Sequence, residues 1–509
     1  MKYLLGIDCG STIVKAALFD ENGHEISVVG EKIPHLYPHS GWTENDPEKL
    51  WQSVLTLLSR LLRETGIDPG QIAALACTGY GNGLYLTDAK GTPVRNGIIS
   101  SDLRARDYVQ QWLNDGTLDA LRPKTLQATW PAQPNALLRF LLDHEPESVQ
   151  RARWFFTCKD YIRFRLTGHP CWELSDATGC NMVNVTTGEY DDAIFHAWGL
   201  EQVRDLFPPL CHSLDLCGTI TDEVAKATGL LAGTPVAAGM FDIDACSLAA
   251  GMTDPSCLCM VSGTWGNNLS LTQDPRPDSD IFMTSRYALD GYYLLLEGSP
   301  TSASNFDWFA TRFLARRAPQ AYQGESDETA WRDTQFAECL REIAAVSPRE
   351  DAPIFLPYLF GGPVDLDARG VLFGLDGRHE QGDILRAVLE GIVFGHHWHV
   401  DRLCRVRNRP VVIRLTGGAT RSPLWTQMFA DVFQTPVEIP TGTELGVLGA
   451  AIGAAAAVGL YPSLTDAVQS MVRVDRVCQP NSELAELYAR KYRRFRKLLD
   501  VLAGHWTLD

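Results

Sequence analysis

The stretch LLGIDCGSTIVKAALFDENG, residues Leu4–Gly23, contains the pattern on which the fold and function of this chain depend. Two short apolar runs, Leu4–Ile7 and Val14–Phe19, are separated by the small polar turn Asp8–Thr12. Such a pattern predicts two strands joined by a hairpin turn. Backbone N–H groups and hydroxyls of the turn can face one direction and form a concave site for phosphate oxygens. The stretch therefore predicts a phosphate-binding hairpin.

Two charged residues flank this turn. Asp8 ends the first predicted strand, where a carboxylate can hold a magnesium ion through water, because magnesium keeps most of its hydration shell. Lys15 adds a positive charge close to the turn. Together they predict a site for a nucleotide with its magnesium ion.

A second stretch repeats the hairpin pattern. Residues Cys257–Thr272, CLCMVSGTWGNNLSLT, again place a small turn, Ser262-Gly263-Thr264, between two apolar runs. A single hairpin of this kind is usually an ordinary structural turn. Two such hairpins, each beginning one half of the chain, predict two lobes that face each other across a nucleotide.

The composition excludes several classes of function. The chain has 509 residues, enough for two or three domains, and 45 Lys and Arg against 62 Asp and Glu give a net charge of −17. Nucleic acids and anionic membranes bind concentrated positive surfaces, so we expect neither as a partner. The 13 cysteines are scattered and match no usual zinc spacing, which indicates reduced thiols in a cytoplasmic protein.

Helices are predicted from apolar residues at helical spacing, among them Asp46–Thr65, Gln150–Leu166 and Ser302–Arg316. The segment Leu445–Tyr461, LGVLGAAIGAAAAVGLY, resembles a membrane span. It is short for that purpose, however, and consists mainly of Ala and Gly, which partition weakly into lipid. We therefore predict a close-packed helix at a domain seam.

The stretch GMFDIDACSLAAG, residues Gly239–Gly251, offers a candidate catalytic base. A buried strand is expected to end at Asp242, and the helix that follows stabilises an anion at its beginning. Such a carboxylate can accept the proton of a substrate hydroxyl while that hydroxyl attacks a γ-phosphate. Helix capping is the commoner role of an Asp at this position, and Asp244 is a competing candidate for the base. We prefer Asp242 because it is nearer the strand end.

A pair of glycines marks a third candidate site. Residues Ile413–Pro440 predict strand, Gly417-Gly418, helix and strand. Paired glycines after a strand allow the backbone to approach a phosphate-bearing or flat ligand closely. An ordinary tight turn explains them equally well, so the glycines alone leave both interpretations open.

Several blocks occur in the order typical of one family, among them GIDCGSTIVKAALFD, LSDATGCNM, AGMFDIDACSLAAG, VSGTWGN and TGGATRSPLWTQMFADVFQTPVEIP. With these blocks the chain resembles the FGGY family of carbohydrate kinases over nearly its whole length. The resemblance implies an α/β fold of two ribonuclease-H-like lobes of the actin/hexokinase ATPase superfamily around a central nucleotide cleft. It implies an N-terminal lobe at residues 1–247, with the sugar site, the first phosphate loop and the base. A C-terminal lobe at residues 253–509 would carry the second phosphate loop, the adenosine site and a C-terminal helix.

The resemblance also implies roles for single residues. Asp242 matches the general base, which contacts the sugar, and Asp8 matches the magnesium-associated residue. The implied nucleotide-binding residues are Gly10, Ser11 and Thr12 in the first phosphate loop with Lys15 beside it, Gly263 and Thr264 in the second loop, Gly417, Gly418 and Ser422 at the adenosine turn, and Ser304.

The sugar-binding turn departs from better-known members. D-xylulose kinases of the family carry a Met-His pair there and glycerol kinases an Arg-Glu pair, whereas this chain reads Thr78-Gly79-Tyr80-Gly81-Asn82-Gly83. Tyr80, Gly81 and Asn82 are therefore the implied sugar contacts, with Asn82 as the main hydrogen-bonding group. Other blocks, such as EGSPTSASNFDWF, are similar to the bacterial L-xylulose kinases of the family. This similarity implies phosphorylation of the terminal hydroxyl of a ketopentose, L-xylulose first of all, with ATP and Mg²⁺.

Alternatives stay open at this point. The substrate could be another pentulose, a pentitol or a related sugar. A non-catalytic protein that senses sugar or nucleotide would keep the lobes and glycines without needing a base. The expected partner is a small sugar, and a homodimer is left open. His396, His397 and His399 share one predicted helix, which we interpret as structural rather than metal-binding.

Overall fold

The computed structural model describes residues 2–277, 280–313, 325–362, 367–442 and 444–506. The chain divides into two compact units. The first consists of Met1–Thr253, Leu271–Leu295 and Thr441–Arg473, and the second of Asp254–Ser270, Leu296–Pro440 and Val474–Asp509. The lobe limits 1–247 and 253–509 stay a prediction.

The strands follow the chain in this order: β1 (Tyr3–Cys9), β2 (Ile13–Asp20), β3 (Glu25–Lys32), β4 (Glu44–Asn45), β5 (Ile72–Gly79), β6 (Tyr85–Thr87), β7 (Gly97–Ile98), β8 (Trp154–Phe156), β9 (Trp172–Glu173), β10 (Leu210–Cys211), β11 (Leu216–Thr219), β12 (Pro235–Phe241), β13 (Cys257–Ser262), β14 (Gly266–Thr272), β15 (Met283–Arg286), β16 (Tyr293–Ser299), β17 (Ile354–Leu356), β18 (Val371–Phe373), β19 (Val412–Thr416), β20 (Val437–Pro440) and β21 (Val474–Cys478).

The α-helices are α1 (Pro47–Thr65), α2 (Arg106–Asn114), α3 (Thr117–Thr125), α4 (Pro134–His144), α5 (Pro146–Arg151), α6 (Cys158–Thr167), α7 (Leu174–Thr178), α8 (Asp192–Trp198), α9 (Asp222–Thr228), α10 (Asp242–Ala249), α11 (Ala303–Trp308), α12 (Glu325–Ala344), α13 (Gln381–Leu403), α14 (Pro423–Phe433), α15 (Leu445–Ala457), α16 (Leu464–Met471) and α17 (Ala485–Leu502). Single turns of 3₁₀ helix lie at Pro69–Gln71, Glu201–Leu206, Gly418–Arg421 and Ser482–Leu484, and a π-helical turn at Phe309–Phe313.

A six-stranded sheet in the order β11-β12-β5-β1-β2-β3 forms the centre of the first unit. β1 pairs antiparallel with β2 and parallel with β5, which pairs parallel with β12. Because β1, β5 and β12 are parallel, their carboxyl ends meet at one edge of the sheet. That edge carries the turns that follow these strands, where α/β sheets place ligands.

The second unit repeats this arrangement around its own hairpin. The strands of its main sheet include the order β16-β14-β13-β19-β20-β21. β13 pairs antiparallel with β14 and parallel with β19, as β1 pairs with β2 and β5. The two predicted hairpins are therefore confirmed, and each begins a sheet of the same local pairing.

Helix α1 confirms the helix predicted at Asp46–Thr65. The Asp46 side chain accepts hydrogen bonds from the Glu48 and Lys49 amides and caps the helix, and Gly66, with φ of 64°, ends it. Helix α11 passes into the π-helical turn at Phe309, and the predicted helix Ser302–Arg316 extends past Phe313 into residues outside the described part.

The helix predicted at Gln150–Leu166 is wrong. This stretch contains the end of α5, the short strand β8 and most of α6. Three aromatic residues, Trp154-Phe155-Phe156, form β8, which pairs with β6. Aromatic side chains favour strands, and the neighbouring strand provides the hydrogen bonds that a helix would otherwise supply.

Helix α15 confirms the close-packed helix predicted for the Ala- and Gly-rich segment. A Cβ atom on Gly6 of β1 would lie 2.1 Å from the Val447 oxygen, and one on Gly449 would lie 2.0 Å from the Ala245 oxygen. The backbones of α15, β1 and α10 thus touch directly, which only glycine allows at these positions. Within the described ranges, no helix has the length and apolar character needed to cross a bilayer.

Candidate active site

The first phosphate loop, Gly10-Ser11-Thr12, connects β1 and β2. A Cβ atom on Gly10 would lie 2.5 Å from the Ile13 oxygen, so only glycine fits there. The Ser11 oxygen lies 2.8 Å from His35 Nε2, and the Thr12 oxygen accepts a 2.8 Å hydrogen bond from the Ile33 amide. Both contacts use carbonyl groups of the loop, and Thr12 is exposed. The two carbonyl contacts fix the loop backbone, and Thr12 stays accessible to solvent.

Asp8 lies at the end of β1 in a cluster of charges. It pairs with Lys15 across the hairpin, and Lys15 forms an ion pair with Glu444. Burial raises the pKa of Asp8 to about 6, with Glu444 adding to the rise and Lys15 opposing it. A Cβ atom on Gly446 would lie 2.6 Å from Asp8 Oδ2, so the carboxylate needs a glycine there. Glu444 directly precedes α15, and Gly446 is the second residue of that helix. Neither residue was predicted from the sequence.

Asp242 is the first residue of α10, directly after β12. Phe241 occupies the capping position, so helix capping is not the role of Asp242. Burial raises the pKa of Asp242 well above its ordinary value, and the charges of Asp8 and Asp176 raise it further. Asp242 is half-buried, whereas Asp244 is fully buried. Of the two candidate bases, Asp242 is the one that is partly exposed, which favours it as the predicted base.

The Asp8 carboxylate fits a magnesium ion, and the base candidate Asp242 lies along the same sheet edge. Magnesium prefers carboxylate and water oxygens, and Asp8 and Asp242 lie at the ends of β1 and β12 on the same edge of the sheet. Their mutual repulsion, which contributes to the raised pKa of Asp242, is relieved by a nearby cation. Among the site residues, the sequence predicts only Asp8 to be associated with the magnesium ion.

The sugar turn follows β5 at the same edge. The Tyr80 hydroxyl lies 2.7 Å from that of Tyr85 and belongs to a buried pair. A Cβ atom on Gly81 would lie 2.5 Å from the Phe241 ring and 3.1 Å from Asp176 Oδ1. Asn82 has φ of 66° and is 4% exposed, and its Oδ1 has no hydrogen-bond partner among the described atoms. Asn82 therefore offers an unused acceptor, whereas the Tyr80 hydroxyl is already bonded.

A buried ion network lies behind this turn, and the sequence analysis did not find it. Lys159 Nζ lies 2.7 Å from Asp160, 3.3 Å from Glu173 and 3.5 Å from Asp176, and all four side chains are fully buried. The Ser175 hydroxyl donates to Glu173 and accepts a 2.9 Å hydrogen bond from the Phe241 amide. The network is thus connected to the residue that precedes Asp242.

The pKa of Asp176 is raised toward neutral pH. Burial raises its pKa to about 7, with Lys159 opposing the rise. The Thr157 hydroxyl lies 2.8 Å from both Asp176 and Asp160, and it accepts a hydrogen bond from Trp172 Nε1. A hydroxyl has one hydrogen to donate, so a protonated Asp176 that donates to Thr157 satisfies both contacts.

The proton on Asp176 predicts a pH dependence of stability. Between its unfolded pKa of 3.8 and its folded pKa of about 7, the native state holds a proton that the unfolded chain has lost. This contribution to the free energy of unfolding is complete below the unfolded pKa and declines as pH rises through 7, by at most about 1.4 kcal/mol per pH unit. Asn at position 176 mimics the protonated acid and does not titrate. In urea unfolding from about pH 4 to about pH 8, D176N should therefore gain stability relative to the wild type. Parallel stability curves would contradict the assignment.

The second phosphate loop, Gly263-Thr264, connects β13 and β14. The amides of Ser302 and Ala303 donate to the oxygens of Thr264 and Gly263 over 3.1 and 2.9 Å. The Ser304 hydroxyl donates to the Thr264 oxygen over 3.2 Å. Ser304 thus supports the loop from the start of α11, which is a second role beside its predicted contact with the nucleotide.

A buried chain of polar side chains supports the same loop. Ser302 Oγ lies 3.3 Å from Ser262 Oγ and 3.0 Å from His396 Nε2, and His396 Nδ1 lies 2.9 Å from Asn268 Oδ1. His399 lies 3.0 Å from Glu297. Each of these two histidines has protein partners, and burial lowers the pKa of His396 to about 3. In the described part of the chain, no group of potential metal ligands includes these histidines.

The adenosine turn follows β19. Gly417 has φ of 88° and ψ of −170°, a conformation available essentially only to glycine. A Cβ atom there would lie 2.6 Å from the Ser262 oxygen at the end of β13, so this turn and the second phosphate loop are adjacent. Gly417 and Gly418 are exposed. Ser422 caps α14, its hydroxyl accepting from the Trp425 amide over 3.2 Å, so its nucleotide role stays a prediction.

Gly417→Ala is expected to weaken ATP binding. The added methyl group meets the Ser262 backbone and requires a strained conformation costing about 1–3 kcal/mol, which corresponds to an increase in the KM for ATP of about 5- to 100-fold. Gly374→Ala is the matched control, since Gly374 has φ of 84° and nothing within 4 Å of an added Cβ. Steady-state kinetics at varied ATP should show the increase only in G417A, and equal values in both variants would contradict the proposed adenosine turn.

Comparisons with known proteins agree with this geometry. A family model described as "FGGY family of carbohydrate kinases, N-terminal domain" matches residues 3–249, and the corresponding C-terminal model matches residues 258–458. The chain is 33% identical to the L-xylulose/3-keto-L-gulonate kinase of Escherichia coli (strain K12), over 99% of this chain and 98% of that protein. It is also 33% identical to a probable L-xylulose kinase of Pasteurella multocida (strain Pm70), over 99% of each.

A solved structure of a xylulose kinase has a similar fold. A ligand-bound xylulose kinase from Lactobacillus acidophilus superposes with a TM-score of 0.89 at 25% identity, covering 99% of both chains. The predicted two-domain α/β fold of the actin/hexokinase type is confirmed. The predicted nucleotide cleft and the roles of the single site residues stay predictions.

Proposed function

Because this chain belongs to the FGGY family of carbohydrate kinases and is a sugar phosphotransferase, we propose that it transfers the γ-phosphoryl group of ATP to the terminal hydroxyl of L-xylulose. The proposal depends mainly on one observation: Asp8 near the end of β1, the sugar turn after β5 and Asp242 after β12 lie at the same edge of one sheet. Two relatives at 33% identity carry L-xylulose in their names, which supports this substrate.

In the proposed mechanism, Asp242 accepts the proton of the O5 hydroxyl as that oxygen attacks the γ-phosphorus in line. The N–H groups and hydroxyls of Gly10-Ser11-Thr12 and of Gly263-Thr264, together with Lys15, stabilise the charge that develops on the phosphate oxygens. Asp8 would hold a magnesium ion through water, and that ion supplies further positive charge to the phosphates. Gly417 and Gly418 leave room for the adenosine.

Asn82 is the proposed specificity group for the sugar. Its buried Oδ1 lacks a protein donor, and a buried acceptor without a partner costs about 1–3 kcal/mol. A sugar hydroxyl can supply the missing hydrogen bond. This role differs from that of the Met-His and Arg-Glu pairs in the D-xylulose and glycerol kinases of the family.

A panel of acceptors tests the substrate. ADP release should be measured with L-xylulose, D-xylulose, L-ribulose, xylitol, glycerol and 3-keto-L-gulonate, the last because one relative is also named for it. We expect the highest kcat/KM for L-xylulose. A preference for another acceptor would overturn the choice of sugar but not the kinase activity.

Asn82→Gly tests the sugar contact. Glycine keeps the positive φ of 66° and removes only the side chain. The loss of one buried hydrogen bond should raise the KM for the sugar by about 5- to 100-fold and leave the KM for ATP unchanged. An unchanged sugar KM would remove Asn82 from the proposed site, and equal changes in both constants would indicate general damage to the fold.

A further inference from the structure

Three buried cysteines that have no role in the proposed active site lie together in the first unit. Cys171, Cys211 and Cys217 are 3%, 9% and 3% exposed, and their Sγ atoms all lie within 4.8 Å of one another. All three are free thiols. No other group of three potential metal ligands occurs in the part of the chain that the structure describes.

The cluster is formed by three separate segments. Cys171 directly precedes β9, Cys211 ends β10 and Cys217 is the second residue of β11. β9 and β10 pair in parallel, whereas β11 is the edge strand beside β12. The separation of Cys171 from the other two along the chain explains why the cysteine spacing matched no zinc pattern in the sequence.

We propose that Cys171, Cys211 and Cys217 bind one zinc ion. Zinc is held by thiolates at about 2.3 Å, which requires sulfur–sulfur distances of about 3.8 Å in a tetrahedral site. The observed sulfur positions reach this geometry by a contraction of about 1 Å at most, within the range of side-chain rotation. Three thiolates provide three of the four ligands, and water completes the coordination.

A buried arginine beside the cluster favours the thiolate form of Cys171. Arg163, which is fully buried, donates to Cys171 Sγ over 3.0 Å and also to the Cys171 oxygen. On binding, three S–H bonds break, three protons pass to solvent, and three S–Zn bonds form without any change of oxidation state. The resulting Zn–S₃ group carries one negative charge beside Arg163, which also forms an ion pair with Asp160.

The position of the cluster predicts a structural role. Ala238 of β12 packs in the same cluster, and Arg163 donates to the Ala238 oxygen over 2.9 Å. β12 continues from there to Asp242. A zinc ion would therefore connect β9, β10 and β11 beside the strand that ends at the proposed base, and its binding energy would add to the stability of the fold.

The experiment uses the full, untagged chain, purified without chelators, and measures its zinc by mass spectrometry of metals. We expect about one zinc ion per chain, reduced to a trace in C171S and C217S and retained in C404S, a half-buried cysteine outside the cluster. Removal of zinc by a strong chelator should lower the Tm, and added zinc should restore it.

A second measurement avoids dependence on variants that fail to fold. Cobalt added to the chelator-treated wild-type chain should give the intense thiolate-to-metal charge-transfer absorption that three sulfur ligands produce, and zinc should displace it. Three outcomes would overturn the proposal: no metal and no charge-transfer band, a disulfide between two of the three cysteines in the freshly purified chain, or binding of Cu⁺ without binding of Zn²⁺.

Discussion

Asp242→Asn is expected to lower kcat by about 10²- to 10⁴-fold while the KM for ATP changes little. Asparagine has nearly the shape of the carboxyl group but cannot accept the proton of the sugar hydroxyl. Asp242 is half-buried at the start of α10, at the sheet edge that also carries Asp8. We therefore expect the substitution to slow the chemical step rather than to weaken nucleotide binding.

Asp244→Asn is the matched control for this variant. Asp244 lies two residues further along the same helix and is fully buried, and burial raises its pKa well above the ordinary value. Asparagine there keeps the size of a side chain that is buried away from solvent, so kcat should stay within a few-fold of the wild type. Steady-state and single-turnover kinetics of both variants separate the two residues. If D242N keeps its rate, or D244N loses as much as D242N, Asp242 is not the base.

Lys159→Met is expected to cost about 3–5 kcal/mol of stability. Lys159 is fully buried between Asp160, Glu173 and Asp176. Burial alone would lower the pKa of Lys159, but these three carboxyl groups together raise it above its ordinary value. Methionine fills a similar volume and leaves the buried carboxylates without their common cation, and removing one partner of a buried ion group is strongly destabilising.

Lys49→Met is the control for this substitution. Lys49 lies 3.9 Å from Asp46 on the surface, with side chains 75% and 36% exposed, and such pairs contribute between about 0 and 1 kcal/mol. Urea unfolding should give a large loss for K159M and almost none for K49M. The loss in K159M should shrink at acidic pH, since protonated carboxyl groups no longer need the cation. Equal, small losses in both variants would show that the buried network does not contribute to stability.

The sequence predicted those parts of the site that depend on local pattern. The apolar runs on either side of Gly10 and of Gly263 predict two hairpins, and both hairpins occur in the structure. The capping residues at Asp46 and Gly66 determine the ends of α1. These features depend on neighbours in the chain, so single residues with known preferences are sufficient to predict them.

Contacts between distant segments could not be predicted in this way. Glu444 meets Lys15 across more than 400 residues of sequence, and Gly446 is fixed by its closeness to Asp8. Lys159 has a charged partner next to it, but its contacts with Glu173 of β9 and Asp176 of α7 form only in the folded chain. The incorrect prediction of one helix at Gln150–Leu166 has a similar cause, because β8 is stabilised by its pairing with β6, an earlier segment of the chain.

The most direct test of the account is the identity of the product. The chain should be incubated with ATP, magnesium and L-xylulose, and the products followed by phosphorus nuclear magnetic resonance and mass spectrometry. We expect equimolar ADP and L-xylulose 5-phosphate, with the phosphate on the terminal hydroxyl, and formation of the same product about 10²- to 10⁴-fold more slowly by D242N. Release of inorganic phosphate without a sugar phosphate, or phosphorylation at another hydroxyl of L-xylulose, would contradict the account.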